Sequence, residues 1–261
     1  MVVVRKSTYE ADHAAQTRSG TTVLTEEHKR KNLDLHSRVA DILPLDDNHK
    51  LSDCDLLYRF LIGRQWKVES AEVSLRNYIA LRKEQKLNSI IAEQYCGNVE
   101  STASVLYGFD KDGLPVMWNT PDFRLLVTLI KGGFKRDLLR IQMQVMEKAR
   151  FLAKERQVDR CMVVLDLCHT NISSVNSHTL AFAREFAKVM QEYYPEIMCR
   201  ILVFNAGWAV TGAWKAVRPL LDRRVQDKVH FFFWAPHDGD ASSVYCRRPA
   251  AAVMWRGGDR R

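Results

Sequence analysis

Three residues near positions 166–169 have side chains that could do chemistry. Cys168 and His169 combine the residue types of a nucleophile and its general base. Adjacent residues of an extended segment point to opposite sides, so the pair cannot easily cooperate. Asp166, near the end of the same predicted strand, lies where α/β sheets place functional residues, but a hydrogen-bond acceptor at a strand exit is an equally good interpretation. The pattern does not predict covalent catalysis.

The motifs that mark common enzymes and metal sites are missing. The sequence has no G-x-G-x-x-G after a strand, no G-x-x-x-x-G-K-[ST] and no G-x-S-x-G. Asp110–Gly113 (DKDG) is similar to the start of a calcium loop but lacks the later glutamate, so a hairpin turn is the better interpretation. The six cysteines are far apart, without paired C-x-x-C spacing, and are expected to be reduced thiols. We expect no metal site and no enzymatic activity.

Helical periodicity dominates residues 23–100. Apolar residues recur at helical spacing in 56–61 and again in 68–79, which predicts a small helical subdomain. Residues 1–22 are polar and without periodicity, and we expect a mobile leader there.

The pattern changes to α/β character over residues 101–234. Residues 104–120 predict a hairpin, and Phe134–Gln157 predict a long amphipathic helix. The segments that follow alternate between apolar strands and helices, and each strand is a continuous apolar run, which is typical of parallel strands covered on both faces. The fold class predicted is therefore α/β, with a βαβ lobe and a largely parallel sheet beside the helical subdomain.

Bulky apolar side chains crowd into about fifty residues of this lobe. They suffice to fill an ordinary core or to line an apolar cavity, and periodicity does not separate the two uses. The residues are Phe182, Phe186, Val189, Met190, Phe204, Trp208, Trp214 and Phe231–Phe233.

The order of several short motifs resembles the CRAL-TRIO, or Sec14-like, lipid-binding family over roughly residues 50–233. Each motif is weak by itself, and the ordered set carries the resemblance. The motifs are LLYRFLIGRQWKVESAEVSLRNYIALRKE, YGFDKDGLPVMW, VVLDL, YYPE, ILVFNAGW, WKAVRPLLD and KVHFF.

The resemblance implies a lobe that encloses a hydrophobic pocket for one lipophilic molecule. It implies phosphatidylinositol as the bound ligand, with Arg64, Glu196 and Lys228 at the head group, and no other cofactor. A guanidinium and an ammonium can neutralise a phosphodiester, and a carboxylate can accept hydrogen bonds from inositol hydroxyls. Ion pairing at the surface or between subdomains is the alternative for Arg64 and Glu196. The expected lining residues are Trp118, Val163, Phe182, Phe186, Met190 and Val203.

Three departures from the family pattern bear on the ligand. Cys161 and Val163 stand where relatives that handle phosphatidylcholine carry hydroxyls, which argues against a choline phospholipid. Ile62-Gly63 replaces Arg-Ala and removes one positive charge. Residues 235–261 form an atypical tail in place of the family's gate helix and closing motif.

These observations predict a non-catalytic protein that binds a lipid and transfers or presents it between membranes. The net charge of +8 suits transient contact with an anionic membrane surface, but the charges are spread over helix faces and do not indicate nucleic acid. We expect a soluble monomer, cytoplasmic and peripherally associated with membranes. Two alternatives remain: a degenerate module that binds a protein partner, and a site for another lipophile such as a retinoid or tocopherol.

Overall fold

The computed structural model describes most of the chain between residues 25 and 232. The described residues are 25–43, 53–156, 158, 160–168, 176–206, 212, 214–215, 218–221 and 223–232. The expected mobile leader, the atypical tail and His169 lie outside them.

The N-terminal part is helical, as predicted. Thr25 caps the first helix, because its hydroxyl accepts a hydrogen bond from the backbone N–H of His28 at 3.3 Å. Leu57, Phe60 and Tyr78 lie on facing helices and are almost fully buried, so the apolar stripes form one small core. The elements are α1 (Glu26–Arg38), a 3₁₀ turn (Ala40–Ile42), α2 (Asp53–Gly63), α3 (Val68–Glu84), a 3₁₀ helix (Leu87–Ala92) and α4 (Gly97–Glu100).

Within the described ranges, five strands form one sheet in the order of the chain. The first two are antiparallel, and the other neighbouring pairs are parallel. Asp110 closes the hairpin, since its carboxylate accepts hydrogen bonds from the N–H groups of Asp112 at 2.9 Å and Leu114 at 2.8 Å. The predicted mostly parallel α/β fold is thereby confirmed. The strands are β1 (Val105–Phe109), β2 (Pro115–Asn119), β3 (Cys161–Asp166), β4 (Met198–Phe204) and β5 (Val229–Phe232).

The order of the strands predicts connecting helices on one face of this sheet, and the long helix before β3 packs against β1, β2 and β3. Parallel strands in sequential order need crossovers of the same hand, and right-handed crossovers put the helices on the same side. The long helix predicted for 134–157 spans Lys135–Glu155 in the structure. The helices are α5 (Phe123–Lys131), α6 (Lys135–Glu155), α7 (Ser177–Tyr193) and α8 (Arg223–Asp227), with a 3₁₀ turn at Arg218–Leu220.

A buried ion triad joins the helical part to the lobe. Arg82 on α3 donates to the carboxylate of Glu147 on α6 at 2.8 Å, and Arg150 donates to the same carboxylate at 3.2 Å. All three side chains are at least nine-tenths buried. The triad therefore fixes α6 against the helical N-terminal part.

The described helices and cysteines bear on two classes of feature, membrane-spanning helices and reactive thiols. Of the described helices, none combines the length and apolarity required to cross a bilayer. Two cysteines in the described part of the chain, Cys96 and Cys199, are free thiols. Burial raises the pKa of the Cys199 thiol, which makes this thiol a poorer nucleophile.

Candidate functional site

A cavity of about 480 Å³ lies between the sheet and helices α6 and α7. Side chains alternate between the two faces of a strand, so the four parallel strands line the cavity with every second residue. These residues form two rows across the sheet. The first row is Met117, Val163, Ile201 and Val229, and the second row is Asn119, Leu165, Val203 and Phe231.

The helices supply the opposite wall at intervals of four residues. One face of α7 presents Phe182, Phe186 and Met190 to the cavity, since residues four apart share a helix face. The corresponding face of α6 presents Leu138, Gln142 and Met146. The wall is therefore apolar over most of its area.

The structure places five of the six predicted lining residues in this wall: Val163, Phe182, Phe186, Met190 and Val203. Trp118 is the exception. Its neighbours Met117 and Asn119 line the cavity, and Trp118 lies on the other face of β2. There its ring meets Tyr107 edge-on with centroids 6.0 Å apart, and its indole N–H donates to Thr120 Oγ1 at 3.3 Å. The structure thus places Trp118 outside the cavity wall, unlike the other five residues.

Charged side chains cluster at one end of the cavity. Lys228 Nζ lies 2.6 Å from Glu196 Oε2, and Arg224 Nη1 lies 3.2 Å from Glu196 Oε1. Glu196 precedes β4 by two residues and Lys228 immediately precedes β5, and these strands are parallel. The amino ends of parallel strands meet at one edge of the sheet, which explains why residues 32 positions apart form an ion pair.

Arg64 lines the same cavity from the turn after α2. Its Nε donates to Ser74 Oγ at 2.6 Å, and the described residues place no carboxylate within ion-pair distance of it. Arg224 lies beside this turn, because its guanidinium donates to the carbonyl of Gly63 at 2.9 Å and to the carbonyl of Ile62. The predicted trio of Arg64, Glu196 and Lys228 thus lines one cavity.

Sequence reasoning missed Arg224. This residue contacts both the end of α2 and Glu196, so it connects the two sides of the charged end. A signal was present in the sequence. Arg224 and Lys228 are four residues apart in RRVQDK, the spacing at which two side chains of one helical turn are neighbours.

Tyr194 is a second lining residue that the sequence did not single out. Its side chain is almost fully buried, and its hydroxyl donates to the carbonyl of Met143 on α6 at 3.3 Å. Burial, followed by the charge of Glu147, raises the pKa of the Tyr194 phenol well above its ordinary value. The hydroxyl therefore stays neutral and holds the start of β4 against α6.

Asp166 and Cys168, the described residues among those first considered for catalysis, do not line the cavity. Asp166 is buried, and its Oδ1 accepts hydrogen bonds from the N–H of Cys168 at 3.1 Å and from Asn205 Nδ2 at 2.8 Å. Asp166 acts there as a strand-exit acceptor. Across the described ranges, no group of three or more His, Cys, Asp or Glu side chains could hold a metal ion.

This chain is similar in sequence to several known proteins. The model of the CRAL/TRIO domain matches residues 100–234. A CRAL-TRIO domain-containing protein of Schizosaccharomyces pombe is 30% identical over 211 residues, which cover 74% of this chain and 56% of that protein. SEC14 cytosolic factor of Eremothecium gossypii is 27% identical and covers 85% of this chain and 75% of its own length.

Two further matches extend the comparison. Phosphatidylinositol/phosphatidylcholine transfer protein SFH11 of Arabidopsis thaliana is 24% identical, with 81% of this chain and 60% of that protein covered. The crystal structure of Sfh5 superposes with a TM-score of 0.66 at 16% identity, over 81% of this chain and 82% of that chain, which shows a shared fold. The chain spans about half or less of the length of the first curated relatives that it matches.

Proposed function

This chain belongs to the CRAL/TRIO domain family, and on that premise we propose that its cavity binds one molecule of phosphatidylinositol and transfers or presents it without catalysis. One observation carries the proposal. An apolar cavity ends in a cluster of three basic side chains and one carboxylate. This arrangement complements a molecule with apolar chains and an anionic head group.

The charged end has the chemistry that a phosphodiester with a polyol requires. The guanidinium of Arg64 has no carboxylate partner among the described residues, and it can donate two parallel hydrogen bonds to phosphate oxygens. Lys228 supplies a compact second cation. Glu196 accepts hydrogen bonds and can take them from inositol hydroxyls in place of the Lys228 ammonium.

Two features favour inositol over choline as the head group. The wall residue Val163 has no hydroxyl, whereas the resemblance implies hydroxyls at that position in relatives that handle phosphatidylcholine. The charged end has three cations for one carboxylate among the described residues, which disfavours the quaternary ammonium of choline. The Arabidopsis relative is named for transfer of both phosphatidylinositol and phosphatidylcholine, so its name supports lipid transfer and not the choice of head group.

Exchange also requires contact with a membrane. The net charge of +8 supports transient docking on an anionic leaflet. We include this peripheral, cytoplasmic mode of action in the proposal, with the phospholipid as the partner.

Transfer between liposomes tests the proposal with a matched pair of lysines. Lys228→Met removes a head-group cation, while Lys188→Met makes the same change on α7, where the side chain is 74% exposed and outside the cavity. A hydrogen bond to a charged group contributes about 1.5–3 kcal/mol. We therefore expect transfer of labelled phosphatidylinositol to fall about tenfold or more in Lys228→Met and to stay within twofold in Lys188→Met.

Two results would contradict the proposal. Equal transfer by both variants would remove Lys228 from the head-group site. If no lipid co-purifies with the native protein and wild-type transfer is absent, the alternative of a protein-interaction module becomes the better interpretation.

A further inference from the structure

Four polar groups form a hydrogen-bonded cluster inside the cavity wall. Asn119 Nδ2 donates to Ser104 Oγ at 2.9 Å and lies 3.5 Å from the carbonyl of Thr102. Gln142 Nε2 donates to that carbonyl at 3.0 Å, and Ser104 Oγ donates to Gln142 Oε1 at 3.4 Å. All four residues line the cavity. We call this group the Asn119 cluster.

The Asn119 cluster lies at the opposite edge of the sheet from the charged end. Asn119 is the last residue of β2, and Ser104 stands across from it beside the antiparallel β1. Lys228, by contrast, immediately precedes β5. The strand registers put Lys228 three strands across and three residues along from Asn119. With about 4.8 Å between strands and about 3.3 Å per residue along a strand, the Cα atoms of Lys228 and Asn119 are roughly 17 Å apart.

The cluster has hydrogen-bonding capacity that the protein does not use. Asn119 Oδ1 has no donor among the described residues, and only one hydrogen of Gln142 Nε2 is engaged. Their neighbours in the wall, Met117 and Leu165, are apolar. A polar atom that faces an apolar ligand without a partner is costly, so a chain that carries a hydrogen-bonding group suits this end better than an unsubstituted acyl chain.

The available groups are one acceptor, Asn119 Oδ1, and one donor, the second hydrogen of Gln142 Nε2, and the nitrogens of both amides approach the same Thr102 carbonyl, at 3.5 and 3.0 Å. An alcohol hydroxyl matches them, because it donates one hydrogen bond and accepts another. A ketone or ester carbonyl could use only the amide N–H of Gln142, and a methyl group could use neither.

We propose that the Asn119 cluster is a second recognition point in the cavity and binds a hydroxyl group carried by the apolar part of the cargo. The inference rests on the proposed function, since it needs a lipid in the cavity. A cargo that satisfies both ends carries an anionic group at the end near Lys228 and a hydroxyl on the chain that extends towards Asn119.

A competition between two matched lipophiles tests this site. The full chain is incubated with phosphatidylcholine vesicles that contain equal amounts of hexadecan-1-ol and its methyl ether, then re-isolated, and the two compounds are extracted and quantified by gas chromatography. We expect the alcohol to be enriched over the ether about tenfold relative to the vesicles, the ratio that corresponds to roughly 1.4 kcal/mol.

Variants of the cluster make the test specific. Asn119→Leu removes the acceptor that only the alcohol can use, so it should bring the ratio close to one. Gln142→Met removes the donor that the oxygens of the alcohol and the ether can both use, so it should weaken the binding of both compounds. Met117→Leu changes an apolar residue of the same strand and should leave the ratio unchanged. The far-UV circular dichroism spectrum and melting temperature of each variant report that the chain is folded.

The outcomes separate the two proposals. Equal binding of alcohol and ether by the wild type overturns the hydroxyl site, as does enrichment of the alcohol that survives in Asn119→Leu. If neither compound binds while phosphatidylinositol is transferred, the hydroxyl site fails and the head-group proposal stands. If phosphatidylinositol is not transferred either, both proposals fail.

Discussion

Replacing Glu147 with glutamine should cost about 3–5 kcal/mol of unfolding free energy. The Glu147 carboxylate is fully buried and accepts hydrogen bonds from Arg82 at 2.8 and 3.3 Å and from Arg150 at 3.2 Å. In Glu147→Gln, two buried guanidiniums would face a neutral amide. Removing one member of a buried ion pair typically costs this amount, because the remaining charge stays out of water. A loss of that size is a large share of the roughly 5–15 kcal/mol that stabilises a domain.

Urea unfolding followed by far-UV circular dichroism measures this cost. Glu72→Gln is the matched control, since Glu72 makes the same type of contact with Arg76 at 3.1 Å at the protein surface. Surface pairs contribute about 0–1 kcal/mol, so the control should lose less than 1 kcal/mol. A third protein, in which Arg82, Glu147 and Arg150 are all methionine, should be more stable than Glu147→Gln because no buried charge remains.

The reasoning would be refuted by either of two results. A loss below 1 kcal/mol in Glu147→Gln would show that the guanidiniums are not held in a dry environment. A triple-methionine protein less stable than the single variant would show that the triad is net favourable. Because α6 also carries Gln142 and Met146, loss of the triad should also weaken lipid retention.

Three further results are expected. A hydrogen bond from Arg140 at 2.7 Å lowers the pKa of Glu93 in the folded protein. The stabilisation that the Glu93 carboxylate contributes is therefore complete above its ordinary pKa of 4.5 and is lost as the pH falls through the lower folded pKa. The melting temperatures of wild type and Glu93→Gln should differ at pH 6 and converge towards pH 3. A difference that persists at pH 3 would contradict this assignment. Val163→Trp, which puts an indole into a cavity of about 480 Å³, should reduce lipid loading several-fold by mass spectrometry, whereas Trp118→Phe should not. Arg224→Gln should release bound lipid faster in a dilution assay, because it removes the contacts between the end of α2 and the charged end; an unchanged rate would exclude that role.

Local patterns predicted the elements of the lobe well. The hairpin around Asp110 and the long helix α6 follow from turn chemistry and amphipathic periodicity, which depend on neighbouring residues. The same patterns do not place Trp118, because apolarity does not say which face of a strand a residue occupies. Met117 and Asn119 line the cavity, so strand parity decides the question once the register is known.

Contacts between distant segments could not be read from those patterns. Arg82 and Glu147 are 65 residues apart, and a charged residue in an amphipathic helix is ordinarily assigned to the solvent-facing side. The placement of Arg64, Glu196 and Lys228 came from family resemblance and not from periodicity. Arg224 was missed because its relation to Glu196 appears only when the segments before β4 and β5 are adjacent.

The direction of the strands gives the two ends of the cavity different chemistry. In open α/β sheets ligands usually bind beyond the carboxyl ends of the strands, a rule that drew attention to Asp166. Asp166 alternates with the lining residue Leu165 and so lies on the face away from the cavity. The charged residues lie instead at the amino ends of β4 and β5, and the carboxyl end of β2 carries the uncharged Asn119 cluster. A bound lipid would therefore lie with its anionic group at the amino edge and its chain directed along the strands, and a hydroxyl on that chain would reach Asn119 and Gln142 only in this orientation.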